Sequence, residues 1–202
     1  RTEATAWPVP SPPPRMTYEE FLAWAEDGTY AEWVNGEVIV LSPNSNPHQR
    51  LLLFLAALLK MFVEARQPGM VLCAAFQMKT AEHLPGREPD ILFLAQEHLD
   101  RLQRTYIKGP ADLVVEIVGP DSRARDRGEK FYEYEQGGVR EYWLPDFERK
   151  HAEFYQLGDD GIYRPIPIGE DGVFRSAVLE GFWLKVEWLW EQPPLSSILK
   201  AW

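Results

Sequence analysis

Glu116 stands inside Leu113-Val114-Val115-Glu116-Ile117-Val118, a run that is otherwise entirely apolar. An ionised carboxylate in a strand buried on both faces is costly unless it is paired or binds a cation. From this strand alone three readings stand side by side: a place at a sheet edge, a pair with an arginine, or a metal ligand. A second acid, Asp90, opens the short apolar strand Pro89-Asp90-Ile91-Leu92-Phe93-Leu94, behind a proline that fixes its approach. It reads either as a strand-start cap or as a partner of Glu116. Two carboxylates on adjacent strands can converge on one hard cation, and Mg²⁺ typically takes one or two carboxylates plus waters and phosphate oxygens. Further on, Arg123, Arg125, Arg127 and Lys130 are interleaved with Asp121, Asp126 and Glu129. That stretch is nearly neutral in sum and reads as a solvated helix face. Lys130 differs, because Lys130-Phe131 begins the apolar part of the helix and its ammonium can turn back toward the sheet.

The elements that must position these groups follow from local pattern. Thr17-Tyr18-Glu19-Glu20 has capping-box spacing and starts a short helix. Asn35-Gly36 lies between two β-rich runs, 31–34 and 37–40, and predicts a hairpin with a type I′ turn, which needs positive φ at both central residues. In that register Glu32 and Glu37 project from one face of the hairpin. Asn46-Pro47 predicts a helix start, with a helix over 47–66 whose buried stripe is Leu51, Leu52, Leu55, Leu58, Leu59 and Phe62. His48 falls in its first turn, off that stripe. Strands are expected at 70–79, 91–94, 112–118 and 139–144, a small polar helix at 96–104, and one helix over 123–136 ending at Gly137-Gly138. The segment 151–190 alternates strand-like runs with glycine turns and reads as appended hairpins. The order from residue 47 is helix, three strands, helix, strand, which argues for an α/β or α+β domain rather than a bundle or sandwich.

Composition narrows the functional classes. The chain has 202 residues, 45% hydrophobic and 26% charged, enough to fold around one core. Its single cysteine, Cys73, excludes an internal disulfide and a cysteine-based zinc site. No run approaches the roughly 18 apolar residues of a membrane span and the first residues carry no leader pattern, so a cytoplasmic location is expected. The net charge of −10 argues against a general nucleic-acid coat, since phosphate affinity comes from Lys and Arg. Residues 1–15 hold five of the 17 prolines and read as an extended arm. One domain is expected over 16–192, with a tail at 193–202. The apolar cluster Phe182, Trp183, Val186, Trp188, Leu189 and Trp190 suggests surplus apolar surface, which a homodimer or packing against the core would cover.

Several stretches in order carry a resemblance. They are Tyr30-Ala31-Glu32-Trp33-Val34-Asn35-Gly36-Glu37 followed by Ser42-Pro43 and His48; Pro89-Asp90-Ile91; Ala111-Asp112-Leu113-Val114-Val115-Glu116-Ile117-Val118; and 126–130 with Tyr134, Gly138-Val139 and Glu141-Tyr142-Trp143. Together the sequence resembles the Uma2 (DUF820) family of restriction-endonuclease-like proteins across roughly 16–190. The resemblance implies a PD-(D/E)xK nuclease fold with an αβββαβ core and a mixed central sheet, the N-terminal hairpin and C-terminal hairpins being additions. It makes Pro89-Asp90 the PD of the motif and Glu116 its second acid. The usual lysine position is Val118 here, and the resemblance implies that the lysine arrives from the next helix as Lys130. Gly119-Pro120 stands where the family usually has Ser-Pro.

On that footing Asp90, Glu116 and the backbone carbonyl of Ile117 would hold Mg²⁺, with Mn²⁺ as a substitute, for hydrolysis of a DNA phosphodiester. Lys130 would orient the attacking water or help deprotonate it, its pKa lowered by burial near a cation. Glu32 or Glu37 would orient a water and His48 would contact phosphate or support a ligand from behind; a hairpin edge pair and a surface cap are the bland alternatives. The competing function is a non-catalytic nuclease-fold module that binds DNA or a protein partner, which the net charge favours. A small-molecule hydrolase has no Ser-His-Asp or G-x-S-x-G signal.

Overall fold

The structure is a computed structural model that describes residues 15–25, 29–42, 44–66 and 68–202. All but the last residue of the expected arm, and Pro43 of the Ser-Pro pair, lie outside the described residues. The first helix, α1 (Tyr18–Trp24), begins with the expected capping box: the Glu20 amide donates to Thr17 Oγ1 and the Thr17 amide donates to Glu20. Strands β1 (Ala31–Val34) and β2 (Glu37–Val40) form the hairpin in the expected register, Glu32 opposite Ile39 and Val34 opposite Glu37. Asn35 and Gly36 both take positive φ, 51° and 92°, as the turn demands. Helix α2 (Asn46–Arg66) buries Leu51, Phe54, Leu55, Leu58, Leu59, Phe62 and Val63 along one stripe.

Beyond α2 the chain builds two sheets. Strands β3 (Gly69–Cys73), β6 (Ile91–Ala95), β8 (Leu113–Val115), β9 (Glu141–Asp146), β10 (His151–Leu157) and β11 (Tyr163–Pro165) make a six-stranded mixed sheet in the order β11-β10-β9-β8-β6-β3. Strands β4 (Gln77–Lys79), β5 (Gly86–Arg87) and β7 (Tyr106–Lys108) join the hairpin in a five-stranded sheet, order β2-β1-β5-β4-β7. The single strand expected over 70–79 is therefore two strands in two sheets. Its apolar content fits burial in either sheet, and periodicity alone cannot mark where a chain crosses between them. A short 3-10 helix, Gln96–Arg101, leads from β6 toward β7.

The helix expected over 123–136 is also two, α3 (Arg123–Arg127) and α4 (Glu129–Gly137), meeting at Gly128. A Cβ on Gly128 would come within 2.7 Å of the Ala124 carbonyl oxygen, so the bend needs glycine there. Strands β12 (Val173–Arg175) and β13 (Trp183–Lys185) pair as a separate hairpin, followed by α5 (Trp188–Glu191) and α6 (Leu195–Leu199).

Alternation along the central strands divides the core. Ile91, Phe93, Leu113 and Val115 face α2 and the C-terminal hairpin. Leu92, Leu94 and Val114 face Tyr134 of α4 together with Met78 and Ile107 of the five-stranded sheet. The cluster that suggested a homodimer is used within the chain: Phe182 and Leu189 are buried, and Val186, Trp188 and Trp190 pack against the first core. Ile198 of α6 and Trp202 join them. Among the described residues no helix is long and apolar enough to cross a membrane.

Candidate active site

Strands β6 and β8 run antiparallel with Ile91 opposite Val115. Continued by one residue, that register sets Asp90, just before β6, against Glu116, just after β8. Both also share the face of Leu92 and Val114, because side chains alternate. The two acids thus arrive side by side where the strands end, and both line one pocket with Tyr30, His48, Glu88, Ser122, Arg125, Asp126, Lys130 and Phe147. Although each is only 4% exposed, neither is fully engaged by protein. Asp90 receives the Ile117 amide at 2.8 Å and lies 3.1 Å from His48 Nε2, both contacts falling on Oδ2. Glu116 accepts from Lys130 Nζ at 2.8 Å and from the Tyr134 hydroxyl at 2.6 Å, both on Oε1. Among the described residues, Asp90 Oδ1 and Glu116 Oε2 carry no protein hydrogen bond.

Helix periodicity places the donors. Lys130 and Tyr134 lie four residues apart on α4, hence on one face, and reach the same oxygen. The ammonium also lies 2.8 Å from Glu32 Oε1 and 3.9 Å from Asp126 Oδ1. Burial alone would lower the Lys130 pKa, but Glu116, Glu32 and Asp126 outweigh it and hold the pKa above the usual lysine value. These carboxylate neighbours favour the charged ammonium over the neutral amine. Burial also pushes Glu116 above the ordinary carboxylate range, and Asp126, Asp90 and Glu32 add to this while Lys130 opposes it.

Behind Lys130 sits an arginine that sequence reasoning missed. Arg87, 1% exposed, donates from Nη1 to Glu32 Oε2 at 2.8 Å. Its Nε and Nη2 grip Glu133 of α4 at 2.7 and 2.8 Å. One guanidinium thereby ties the hairpin to α4 and fixes the carboxylate that faces Lys130. Burial raises Glu32, yet Lys130 and Arg87 overcome it and bring the carboxyl down to about 2. Glu88 was missed as well; its Oε2 takes the Ala31 amide and the Gln77 side chain, and burial pushes its pKa up to about 8. The signals for these two were thin, namely an acid two residues before Asp90 and an arginine after Pro85-Gly86. Tyr134 had a clearer one, its i,i+4 spacing from Lys130.

Most of the expected site residues meet here. His48 is buried, not a surface cap, and stands against Asp90. Glu37 does not join them: it is exposed at the turn end of the hairpin, 3.5 Å from Arg15. It shares a ribbon face with Glu32, but among the described residues the Arg87 and Lys130 side chains that engage Glu32 make no ion pair with Glu37, whose partner is Arg15. Val118 is buried in the second core cluster and offers no charge to the pocket.

Whether a divalent cation suits this site is a question of donors. No group of three or more His, Cys, Asp or Glu side chains among the described residues is arranged as a metal cage. Mg²⁺ does not need one, since it is commonly held by one or two carboxylates and completed by water and substrate oxygens. Two acids that each leave one oxygen without a protein donor, at a pocket lined by Glu88 and Asp126 as well, fit that pattern.

The family model described as "Putative restriction endonuclease", Uma2, matches residues 18–187. A crystal structure from Anabaena variabilis ATCC 29413, described as a "putative nuclease belonging to DUF820", shares the fold with TM-score 0.70 at 15% identity, covering 87% of this chain and 98% of that one. No curated protein matches the chain. The match runs through the hairpin, the two acid-bearing strands, α4 and β9, and on it the chain belongs to the Uma2 family.

Proposed function

We propose that this protein is a metal-dependent endonuclease that hydrolyses DNA phosphodiester bonds. The observation that carries the reading is the pair of half-used carboxylates: Asp90 and Glu116 each give one oxygen to protein donors and leave the other free at the same pocket. Asp90, Glu116 and the Ile117 carbonyl would hold Mg²⁺, or Mn²⁺ in its place. The ion, when bound, supplies Lewis-acid stabilisation of the phosphoryl oxygens and a more acidic water. The protein's own part is placement. The Ile117 amide and His48 fix the Asp90 carboxylate, while Tyr134 and Lys130 fix Glu116. Lys130, kept charged by its carboxylate neighbours, directs the attacking water and balances negative charge beside it. Glu32 holds that ammonium in place and Arg87 holds Glu32.

The −10 net charge favours the second reading, a nuclease-fold module that binds without cutting. Calorimetric titration with Mn²⁺ separates the two when paired with a cleavage assay on plasmid and linear DNA. The endonuclease reading expects defined stoichiometric binding and cleavage in the wild type, both lost in Asp90→Ala. Cleavage that persists in Asp90→Ala refutes this site. Metal binding with no cleavage of any DNA tested favours the binding module.

A further inference from the structure

The sequence groups Arg123, Arg125 and Arg127 as one solvated strip, but the structure divides them. Arg123 is committed to Asp146, its Nε 3.0 Å from Oδ2, and Nη2 reaches Glu148. Arg127 is committed to Glu153 at 2.9 Å and to Asp146 at 3.5 Å. Arg125 makes no ion pair among the described residues. It lines the pocket of Asp90 and Glu116, and its Nε is buried without a hydrogen-bond partner. A buried donor on a charged group is rarely left unpaired in a native structure unless something else completes it.

Lys130 and His48, the other basic side chains of the pocket, each already face a carboxylate, although His48 Nδ1 is itself buried without a partner. Lys130 places its ammonium on Glu116 and Glu32, and His48 stands against Asp90. Five carboxylates, Glu88, Asp90, Glu116, Asp121 and Asp126, line the same space. A polyanionic strand approaching such a surface is repelled unless a cation on the protein is free to receive it. Arginine suits that task, because its planar fork matches two phosphate oxygens at once and its charge is permanent.

We propose that Arg125 is the phosphate-binding residue of this site, taking a non-bridging oxygen pair of the DNA backbone beside the scissile bond. The proposal rests on the nuclease reading above and gives it a substrate contact that the carboxylates and Lys130 do not supply.

The test is the salt dependence of DNA binding. A fluorescein-labelled duplex is titrated with full-length protein in Ca²⁺, followed by anisotropy across a range of KCl concentrations, and initial cleavage rates are measured separately in Mg²⁺. Neutralising one phosphate contact changes the slope of log K against log [salt] by about 0.9. Arg125→Gln is therefore expected to flatten the slope by about that amount and to raise KM more than it lowers kcat. Arg125→Lys should recover the slope but only part of the affinity, since an ammonium cannot make the forked contact. Arg123→Gln, which alters an arginine already paired, should leave the slope unchanged, and circular dichroism confirms that each variant is folded. An unchanged slope in folded Arg125→Gln, with a wild type that binds and cuts DNA, overturns the assignment and leaves the nuclease reading standing. A wild type that neither binds nor cuts DNA overturns both.

Discussion

Glu116 and Glu141 are buried acids on neighbouring strands of the six-stranded sheet, and the molecule treats them in opposite ways. Glu141, at the start of β9, spends both oxygens on neutral donors. Trp143 Nε1 reaches Oε1 at 2.6 Å, and Ser176 Oγ with the amides of Ala177 and Val178 reach Oε2 at 3.1, 2.8 and 2.8 Å. It has no accessible surface, and its work is to join the central sheet to the loop between β12 and β13 of the C-terminal hairpin. Glu116, at the far end of the paired strand, receives only two donors, one of them charged, on one oxygen, and it borders an open pocket. Burial of a carboxylate therefore does not mark a site by itself. What separates the two is whether protein donors use up both oxygens.

That comparison can be broken by three variants. The largest effect is expected from Glu141→Ala, which strands the indole N–H and two amides in a dry interior. Buried donors left unpaired cost about 1–3 kcal/mol each, so a loss of at least about 3 kcal/mol is expected in urea unfolding. Cleavage by the folded protein should be unchanged, and impaired cleavage would place Glu141 in the site. Glu116→Gln is expected to do the reverse. Midpoint stability should stay within about 1 kcal/mol because the amide still accepts from Lys130 and Tyr134 while repulsion from neighbouring carboxylates falls. Cleavage should drop by at least the roughly 10²-fold that a 1 Å misplacement costs. Full activity with reduced stability would turn Glu116 into a second Glu141.

The smallest effect concerns Glu32, whose carboxyl is brought from the ordinary 4.5 to about 2 by Lys130 and Arg87 in spite of burial. A folded-state pKa below the unfolded one stabilises above the unfolded value and is lost as pH falls through the folded one. The wild type should therefore lose this contribution between pH 4.5 and about 2. Glu32→Gln should lack that portion of the acid sensitivity, a difference on the order of 2 kcal/mol across the window. Denaturant midpoints for both proteins at several acidic pH values measure it. Parallel curves would show that Lys130 and Arg87 do not hold Glu32 ionised.

Features governed by neighbours in sequence were legible before the structure. Asn35-Gly36 fixed the hairpin register, Thr17 and Glu20 the helix start, and an acid in each of two apolar strands announced Asp90 and Glu116. What escaped depends on distant partners. Arg87 meets Glu32 and Glu133 from 55 and 46 positions away, and nothing beside it in the chain announces burial. Glu37 looked equivalent to Glu32 because alternation gives the face and not what covers it. The break at Gly128 was hidden because one glycine within a helical pattern costs only about 1 kcal/mol and is often carried without a bend. The strand split near residue 75 was hidden because both halves are apolar enough to be buried.

The bend at Gly128 also sets how this chain can tolerate changes of length. Each residue added within a helix turns everything beyond it by about 100°. Within α4, an inserted residue between Lys130 and Tyr134 would swing the hydroxyl away from Glu116 and part it from the ammonium. Upstream of Gly128, α3 is a separate five-residue rod, and the same insertion would redirect Arg125 while α4 kept its rotation. The glycine thus divides the stretch into two independently indexed segments. One aims Arg125 at the pocket; the other keeps Lys130 and Tyr134 in phase with Glu116.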